Sequence, residues 1–204
     1  MSYSKLLFVG LLSLILNSLT AQDSLSTKYL LSKPKSFGFY IAPEVGYGQL
    51  NSHFTLGRGV SLMTIFNNKF AIGASVQSYT YKEPNLTTRY YSNSAGLKLE
   101  YTLAPQRALH VSFPLLLGIT SVGQVQHFFD NSGNRNSDRY ITIQPGVALE
   151  ANLLKFAKMF VSANYRLSFD ADNSTNVYST DYASGLGINV GVKIGLFNVM
   201  KNKD

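Results

Sequence analysis

The clearest pattern in the chain is an unbroken alternation of apolar residues with small, polar or charged residues over positions 184–197. Because successive side chains of a strand point to opposite faces, this segment predicts a strand with one apolar and one polar face. A tilted strand of about 9–11 residues is long enough to span a bilayer. Apolar residues outside and polar residues inside are typical of a transmembrane barrel. The apolar positions are Leu186, Ile188, Val190, Val192, Ile194 and Leu196, and the others are Gly187, Asn189, Gly191, Lys193 and Gly195.

The same alternation, interrupted by turn-forming residues, recurs along the chain and predicts eight strands. Connections that follow even-numbered strands are short, whereas those after strands three, five and seven are long and polar. Short periplasmic turns and long outer loops are typical of single-chain outer-membrane barrels. We therefore predict an all-β fold, an eight-stranded antiparallel up-and-down transmembrane β-barrel over residues 37–197. Its strands are residues 37–48, 53–66, 69–82, 92–103, 107–122, 139–152, 157–169 and 182–197.

The N-terminus predicts export. Lys5 precedes an apolar run from Leu6 to Leu16, and small or polar residues follow up to Ala21, as in a secretory signal peptide. We expect residues 1–21 to be the signal peptide, residues 22–36 a periplasmic segment and residues 198–204 a C-terminal tail. After the signal there is no apolar run of roughly 18 residues, so a closed barrel is the remaining way to cross a membrane. The expected location is the cell outer membrane.

The composition of the chain limits the classes of partner and the kinds of chemistry that we expect. The chain has 18 Lys and Arg against 11 Asp and Glu, and the basic residues are scattered. Dispersed basic charge favours contact with outer-membrane lipid head groups, and no nucleic-acid partner is expected. The chain contains no cysteine, which excludes disulfides, thiol chemistry and a cysteine-linked lipid anchor.

Six charged residues fall on the polar face of the predicted strands, which places them in the interior of the barrel. Eight strands enclose only enough volume for side chains, which predicts a packed polar plug. Breaking a buried ion pair costs about 3–5 kcal/mol, so we expect these charges to be paired, with Lys193 bound to a glutamate of strand one, four or six. A gated conduit or proton path is the alternative. The six residues are Glu44, Lys98, Glu100, Glu150, Arg166 and Lys193.

Several residues do not fit regular strands with uniform faces. Arg58 shares the parity of Val60 and Leu62, which places a charge in lipid unless a bulge at Gly57 or Gly59 turns it inward. Prolines lack a ladder donor and are expected at bulges. Aromatic residues near the predicted strand ends are expected to form girdles at both interfaces. The prolines are Pro43, Pro114 and Pro145, and the aromatic residues include Phe37, Phe156 and Phe197 on the periplasmic side and Tyr79, Tyr81, Tyr90, Tyr140 and Tyr182 on the outer side.

No residue pattern predicts catalysis. His110 and Ser112 lie two residues apart, as in outer-membrane lipid A deacylases, but their parity points inward and no acid follows at a comparable spacing. His53, His110 and His127 are too dispersed for a metal cluster, and no glycine-rich phosphate loop is present. We expect no catalytic, cofactor-binding or metal-binding residues, and hence no enzyme.

Four segments carry a resemblance to a known family, namely the Ala21-Gln22 junction, residues 108–117, residues 145–150 and residues 161–167. In these segments the chain resembles the small outer-membrane β-barrel domain proteins, which include PorT-like barrels, and more distantly the OmpA-type eight-stranded barrels. The resemblance covers most of residues 37–197. It implies a role in secretion, adhesion or envelope integrity, and it transfers no catalytic residue. Such barrels often end on a lipid-facing aromatic, whereas here Phe197 has inward parity and Leu196 is the in-phase terminus.

Three functions are consistent with these observations. The first is a non-catalytic barrel with a plugged lumen that supports the envelope or binds a protein or glycan partner through its outer loops, as a secretion accessory for example. The second is a soluble, lipocalin-like exported barrel with an apolar ligand inside. The third is a lipid A-modifying enzyme.

Overall fold

A computed structural model describes residues 36–50, 53–82, 89–125, 137–170 and 180–198. The predicted signal peptide, nearly all of the periplasmic segment and most of the C-terminal tail lie outside the described residues. The described residues form eight strands and one short helix. Their bounds are β1 (Phe37–Leu50), β2 (His53–Phe66), β3 (Phe70–Lys82), β4 (Arg89–Leu103), β5 (Leu109–Val125), β6 (Ser137–Leu154), β7 (Ala157–Asp170), α1 (Thr180–Ala183) and β8 (Gly185–Leu196).

Each strand pairs antiparallel with the next, and β8 pairs with β1, which closes the sheet. The predicted eight-stranded antiparallel barrel is therefore confirmed. Every predicted strand overlaps an observed one, and no strand end differs from its prediction by more than three residues; β8 is one of the strands that differ by three. It begins at Gly185 and not at residue 182, because α1 occupies the preceding residues.

The connection between β2 and β3 shows how the sequence sets the register. Asn67 and Asn68 both have a positive φ, of 52° and 55°, and the Lys69 amide donates to the Phe66 carbonyl at 3.0 Å. Two left-handed central residues define a type I′ turn, which matches the twist of an antiparallel hairpin, and asparagine adopts this conformation more readily than most residues. The Asn-Asn pair thus specifies a short turn at the periplasmic end.

The two faces of the barrel differ as the alternation predicts. On β8, Ile188 is 52% exposed on the outer surface, whereas Lys193 is 4% exposed and faces the interior. The outer surface as a whole carries large apolar side chains, and the buried set is dominated by hydroxyl, amide and charged residues. A soluble barrel with an apolar ligand requires the opposite distribution. Within the described residues, no helix is both long and apolar enough to cross a membrane.

The prolines do not lie at bulges, contrary to the prediction. The register between β5 and β6 is the same on both sides of Pro114, where Ser112 faces Ala148 and Leu115 faces Pro145. The register is likewise continuous past Pro43 and Pro145. A proline removes a ladder donor without inserting a residue, so the ladder lacks pairs there and keeps its alignment.

Arg58 is also in continuous register, opposite Val45, with Gly57 opposite Gly46. The bulge that would turn it inward is therefore absent at this point, and Arg58 lies on the outer surface between Val45 of β1 and Ser78 of β3.

The predicted aromatic girdle is partly wrong. Phe37, Phe156 and Phe169 lie on the outer surface, but Tyr79 and Tyr140 are buried inside the barrel. Position near a strand end sets the height of a ring, whereas parity sets its direction, and these tyrosines have inward parity. The rings of Tyr81, Tyr90 and Tyr182 form a chain of contacts, with centroids 6.5 and 6.0 Å apart.

Candidate functional site

The interior of the barrel contains an ion cluster made by three strands. Lys193 of β8 places its Nζ 2.5 Å from Glu100 Oε1 of β4 and 2.6 Å from Glu150 Oε1 of β6. All three side chains are buried, and the Tyr40 hydroxyl donates to Glu100 Oε1 at 3.0 Å. We call Lys193, Glu100 and Glu150 the central ion cluster. One ammonium group of β8 thus satisfies two carboxylates from strands that are not its hydrogen-bonded neighbours.

Glu150 also organises the histidine and serine of β5. Ser112 Oγ donates to Glu150 Oε1, and His110 Nε2 lies 3.3 Å from Glu150 Oε2, at ion-pair distance but without hydrogen-bond geometry. The other ring nitrogen, His110 Nδ1, lies 3.1 Å from the Arg107 carbonyl oxygen. A nucleophilic serine needs a base within hydrogen-bond reach. Here the carboxylate lies between the two side chains, so Ser112 is bonded to an acid and not to His110.

The other three predicted interior charges, Glu44, Lys98 and Arg166, are buried with neutral partners. Glu44 accepts from Gln77 Nε2 at 2.8 Å, and Lys98 Nζ donates to Ser61 Oγ at 3.1 Å. Within the described strands, the structure joins neither of them to an oppositely charged side chain.

Arg166 is held by backbone oxygens. It donates to the carbonyls of Ala183 and of Gln49, the latter at 2.9 Å, and its guanidinium carbon lies 5.0 Å from the ring centroid of Tyr79. Carbonyl oxygens and an aromatic face both stabilise a guanidinium charge without an acid. Among the described residues no carboxylate pairs with Arg166.

The sequence reasoning missed a fourth interior base. Lys158 of β7 is 7% exposed, lies opposite Lys193 in the strand pairing and places its Nζ 4.5 Å from the ring centroid of Phe197. It has the same parity as Arg166, which was the available signal. Apart from His110, the buried charges of the described residues are therefore four basic and three acidic side chains.

Two further layers of hydrogen-bonded side chains lie along the barrel axis between the central ion cluster and the outer mouth. In the first, Gln144 Nε2 donates to Gln77 Oε1 at 3.0 Å and to Asn164 Oδ1 at 2.9 Å. In the second, Thr142 Oγ1 donates to Thr120 Oγ1 at 2.6 Å, and Thr120 Oγ1 lies 2.7 Å from Ser94 Oγ. The Gln144–Gln77 bond joins β6 to β3 across the lumen, whereas the hydroxyl bonds link the neighbouring strands β4, β5 and β6 along the wall.

The outer mouth contains the short helix α1. Its residue Ala183 is fully buried, and its carbonyl accepts from Ser168 Oγ at 3.0 Å as well as from Arg166. Val122 and Tyr140 pack against Ala183 in one apolar cluster. The C-terminal end of α1 is therefore packed inside this mouth.

The described residues contain no group of three side chains placed to hold a metal ion. Large parts of the outer loops predicted to contact partners fall in residues 83–88, 126–136 and 171–179, which lie outside the described residues.

Comparison with known proteins adds evidence for the fold alone. No protein-family model and no curated protein matches the sequence. Among solved structures, neisserial surface protein A is 13% identical with a TM-score of 0.58, covering 78% of this chain and 96% of that one. A major outer membrane protein from Thermus thermophilus is 12% identical with a TM-score of 0.53, covering 78% and 99%. The N-terminal β-barrel domain of Pseudomonas aeruginosa OprF is 11% identical with a TM-score of 0.51, covering 77% and 97%.

These likenesses cover nearly the whole length of each solved barrel. The apolar outer surface and the polar interior agree with them, because a bilayer requires this inverted distribution. The chain therefore has the fold of the OmpA-type eight-stranded barrels, and it is an outer-membrane barrel.

Proposed function

We propose that this protein is a non-catalytic outer-membrane barrel with a closed polar lumen, which supports the envelope or serves as an accessory component that binds a partner through its outer loops. The observation that carries the proposal is the central ion cluster, in which Lys193 bonds both Glu100 and Glu150 across the lumen. Interior side chains that bond one another do not provide a continuous polar path for a solute.

Three arguments support a closed lumen. An eight-stranded barrel is only just wide enough for its own side chains. The charges at its centre are engaged in ion pairs or hydrogen bonds, and the end of helix α1 is packed inside the outer mouth. At the other end Tyr40 and Phe197 pack with ring centroids 5.7 Å apart, within an apolar cluster.

The position of the Ser112 hydroxyl, which is the candidate nucleophile beside His110, supports the absence of catalysis. Ser112 is fully buried inside the barrel and donates to Glu150. A lipid substrate outside the barrel cannot reach it. Unchanged lipid A in a strain lacking this protein would agree with the proposal, and loss of a lipid A modification would contradict it.

The closed lumen predicts the absence of conductance. We expect the full barrel, reconstituted in planar bilayers, to give no stable unit conductance and liposomes that contain it not to swell in small sugars. An open porin reconstituted in parallel serves as the positive control. A steady unit conductance that changes its ion selectivity in a Lys193→Met variant would overturn the closed lumen and favour the conduit.

The partner contacts are proposed for the outer loops, which are rich in Asn, Ser, Tyr, Arg and Asp. Exposed loops on a rigid scaffold commonly carry binding residues, and polar side chains of this kind suit a protein or a glycan. The resemblance to PorT-like barrels supports a secretion-accessory role among the possible uses of these loops.

The loops can be tested one at a time. We expect a pull-down from detergent-solubilised envelopes to recover a partner with the wild-type chain and to lose it when residues 83–88, 126–136 or 171–179 are replaced by a short Asn-Gly turn. Heat-modifiable migration on a gel checks that each variant still forms a barrel. If every loop variant retains the same partners and the same envelope resistance to detergent as wild type, recognition through the loops is excluded.

A further inference from the structure

The outward face of β2, β3 and β4 carries a row of polar side chains, and this row continues onto β5 and β6 through Ser121 and Arg139. Arg58 faces Ser78, and Ser78 faces Asn93, so three polar side chains lie side by side on the outward face. The next row toward the periplasm is apolar and consists of Val60, Val76 and Ala95. A polar row directly above an apolar row makes this part of the wall amphipathic.

The two rows line a groove of about 420 Å³ on the outside of the barrel. It is hollow because Ser78 and Ala95 have small side chains, whereas Arg58 and Val60 stand at its edge. Arg58 lies at one end of the groove, and the aliphatic side chains of Val76 and Ala95 line its other end. We call it the outer-wall groove.

Two more cations lie beyond the polar end of this groove. Lys82 and Arg89 face each other across β3 and β4 on the same outward face as Ser78 and Asn93. Like charges directly opposite each other destabilise a strand pair. Within the described residues, neither of them nor Arg58 forms an ion pair. Three cations on one patch therefore create a site that an anion would stabilise.

The height of the groove indicates which lipids reach it. With a rise of roughly 3.3 Å per residue and a tilt of about 40°, Arg58 lies about 20 Å from Phe66 along the barrel axis. The apolar band of such barrels is about 25 Å tall, so Arg58 is close to its outer edge. Its long side chain can extend toward the head groups while the aliphatic part stays in lipid. The groove thus opens to the outer leaflet.

We propose that the outer-wall groove binds a phosphorylated glycolipid of the outer leaflet, of the lipid A type. Arg58 bonds a phosphate, with Lys82 and Arg89 adding positive charge above it, and one acyl chain lies along Val76 and Ala95. A guanidinium matches the geometry of a phosphate with two parallel hydrogen bonds. The proposal rests on the outer-membrane location and deepens the proposed envelope role, because it names the lipid and its binding residues.

The test uses the full barrel, refolded in detergent, and lipid binding measured by native mass spectrometry. We expect lipid A to bind, and the Arg58→Gln and Ala95→Leu variants to bind it at least about tenfold more weakly, the first by loss of the phosphate contact and the second by filling the groove. Dephosphorylated lipid A and phosphatidylglycerol are the comparison ligands, and both should bind more weakly than lipid A.

Two matched controls lie elsewhere on the chain. Lys155→Gln removes an exposed cation at the periplasmic turn, and Ala163→Leu enlarges an outward alanine on β7; both should bind lipid A as wild type does. Equal binding by wild type, Arg58→Gln and Ala95→Leu would overturn the site, and equal binding of phosphatidylglycerol would overturn the choice of glycolipid. Loss of heat-modifiable migration in the wild type would instead count against the membrane barrel itself, which separates the two failures.

Discussion

Replacing Lys193 by methionine should destabilise the barrel by about 3–5 kcal/mol, the cost of leaving buried charges without their partner. Methionine has a similar length and fills the same space, so packing is largely retained. Glu100 and Glu150 then remain in the interior with the ammonium removed. Urea unfolding in lipid vesicles, followed by circular dichroism and by migration on an unheated gel, gives the difference in the free energy of unfolding.

Two further variants separate the electrostatic cause from a general loss of packing. Lys155→Met changes an exposed lysine of the periplasmic turn and should leave the free energy of unfolding within about 0.5 kcal/mol of wild type. Adding Glu100→Gln and Glu150→Gln to Lys193→Met removes the unpaired charges and should restore part of the stability. A Lys193→Met barrel as stable as wild type would show that the carboxylates do not depend on this ammonium.

Placing an arginine at Leu62 should cost about 2–4 kcal/mol of folding free energy in lipid. Leu62 is 64% exposed and lies on the outward face of β2 between Val60 and Thr64, within the apolar band. On a protein surface in water, a substitution of this kind usually changes stability by no more than about 0.5 kcal/mol. The size of the effect therefore reports which solvent meets this face.

The matched control for Leu62→Arg is Leu153→Arg, at the periplasmic end of β6. Leu153 is also outward and exposed, but it lies next to the turn, where an arginine should cost only about 0–1 kcal/mol. Reversible folding into vesicles of defined thickness provides the measurement. Equal costs at the two positions would contradict a lipid-facing band centred on Leu62.

Much of the fold follows from a period of two in the sequence. Alternation determines which face a side chain joins, which is why Lys193 and Ile188 are on opposite sides of β8 as predicted. The same alternation gives Lys158 inward parity, although this residue is not among the six predicted charges. The direction of an aromatic ring likewise follows from its parity and not from its position near a strand end, as Tyr79 and Tyr140 demonstrate.

For the central ion cluster, the sequence predicts only a set of candidate partners for Lys193, namely the glutamates of strands one, four and six. The partner of Lys193 depends on the heights of three strands around a closed barrel, which the stagger between strands determines. The local pattern of any one strand does not contain this stagger. The hydrogen-bonded neighbours of β8 are β1 and β7, yet the acids that meet Lys193 come from β4 and β6, across the lumen.

This connection across the lumen has a consequence for how the barrel assembles. β8 is the last strand along the chain and closes the seam with β1, and it also carries the ammonium that neutralises Glu100 and Glu150. A nascent sheet that ends before β8 exposes two carboxylates on the face that must enter the interior. Closure of the seam and neutralisation of the acids therefore depend on the same strand.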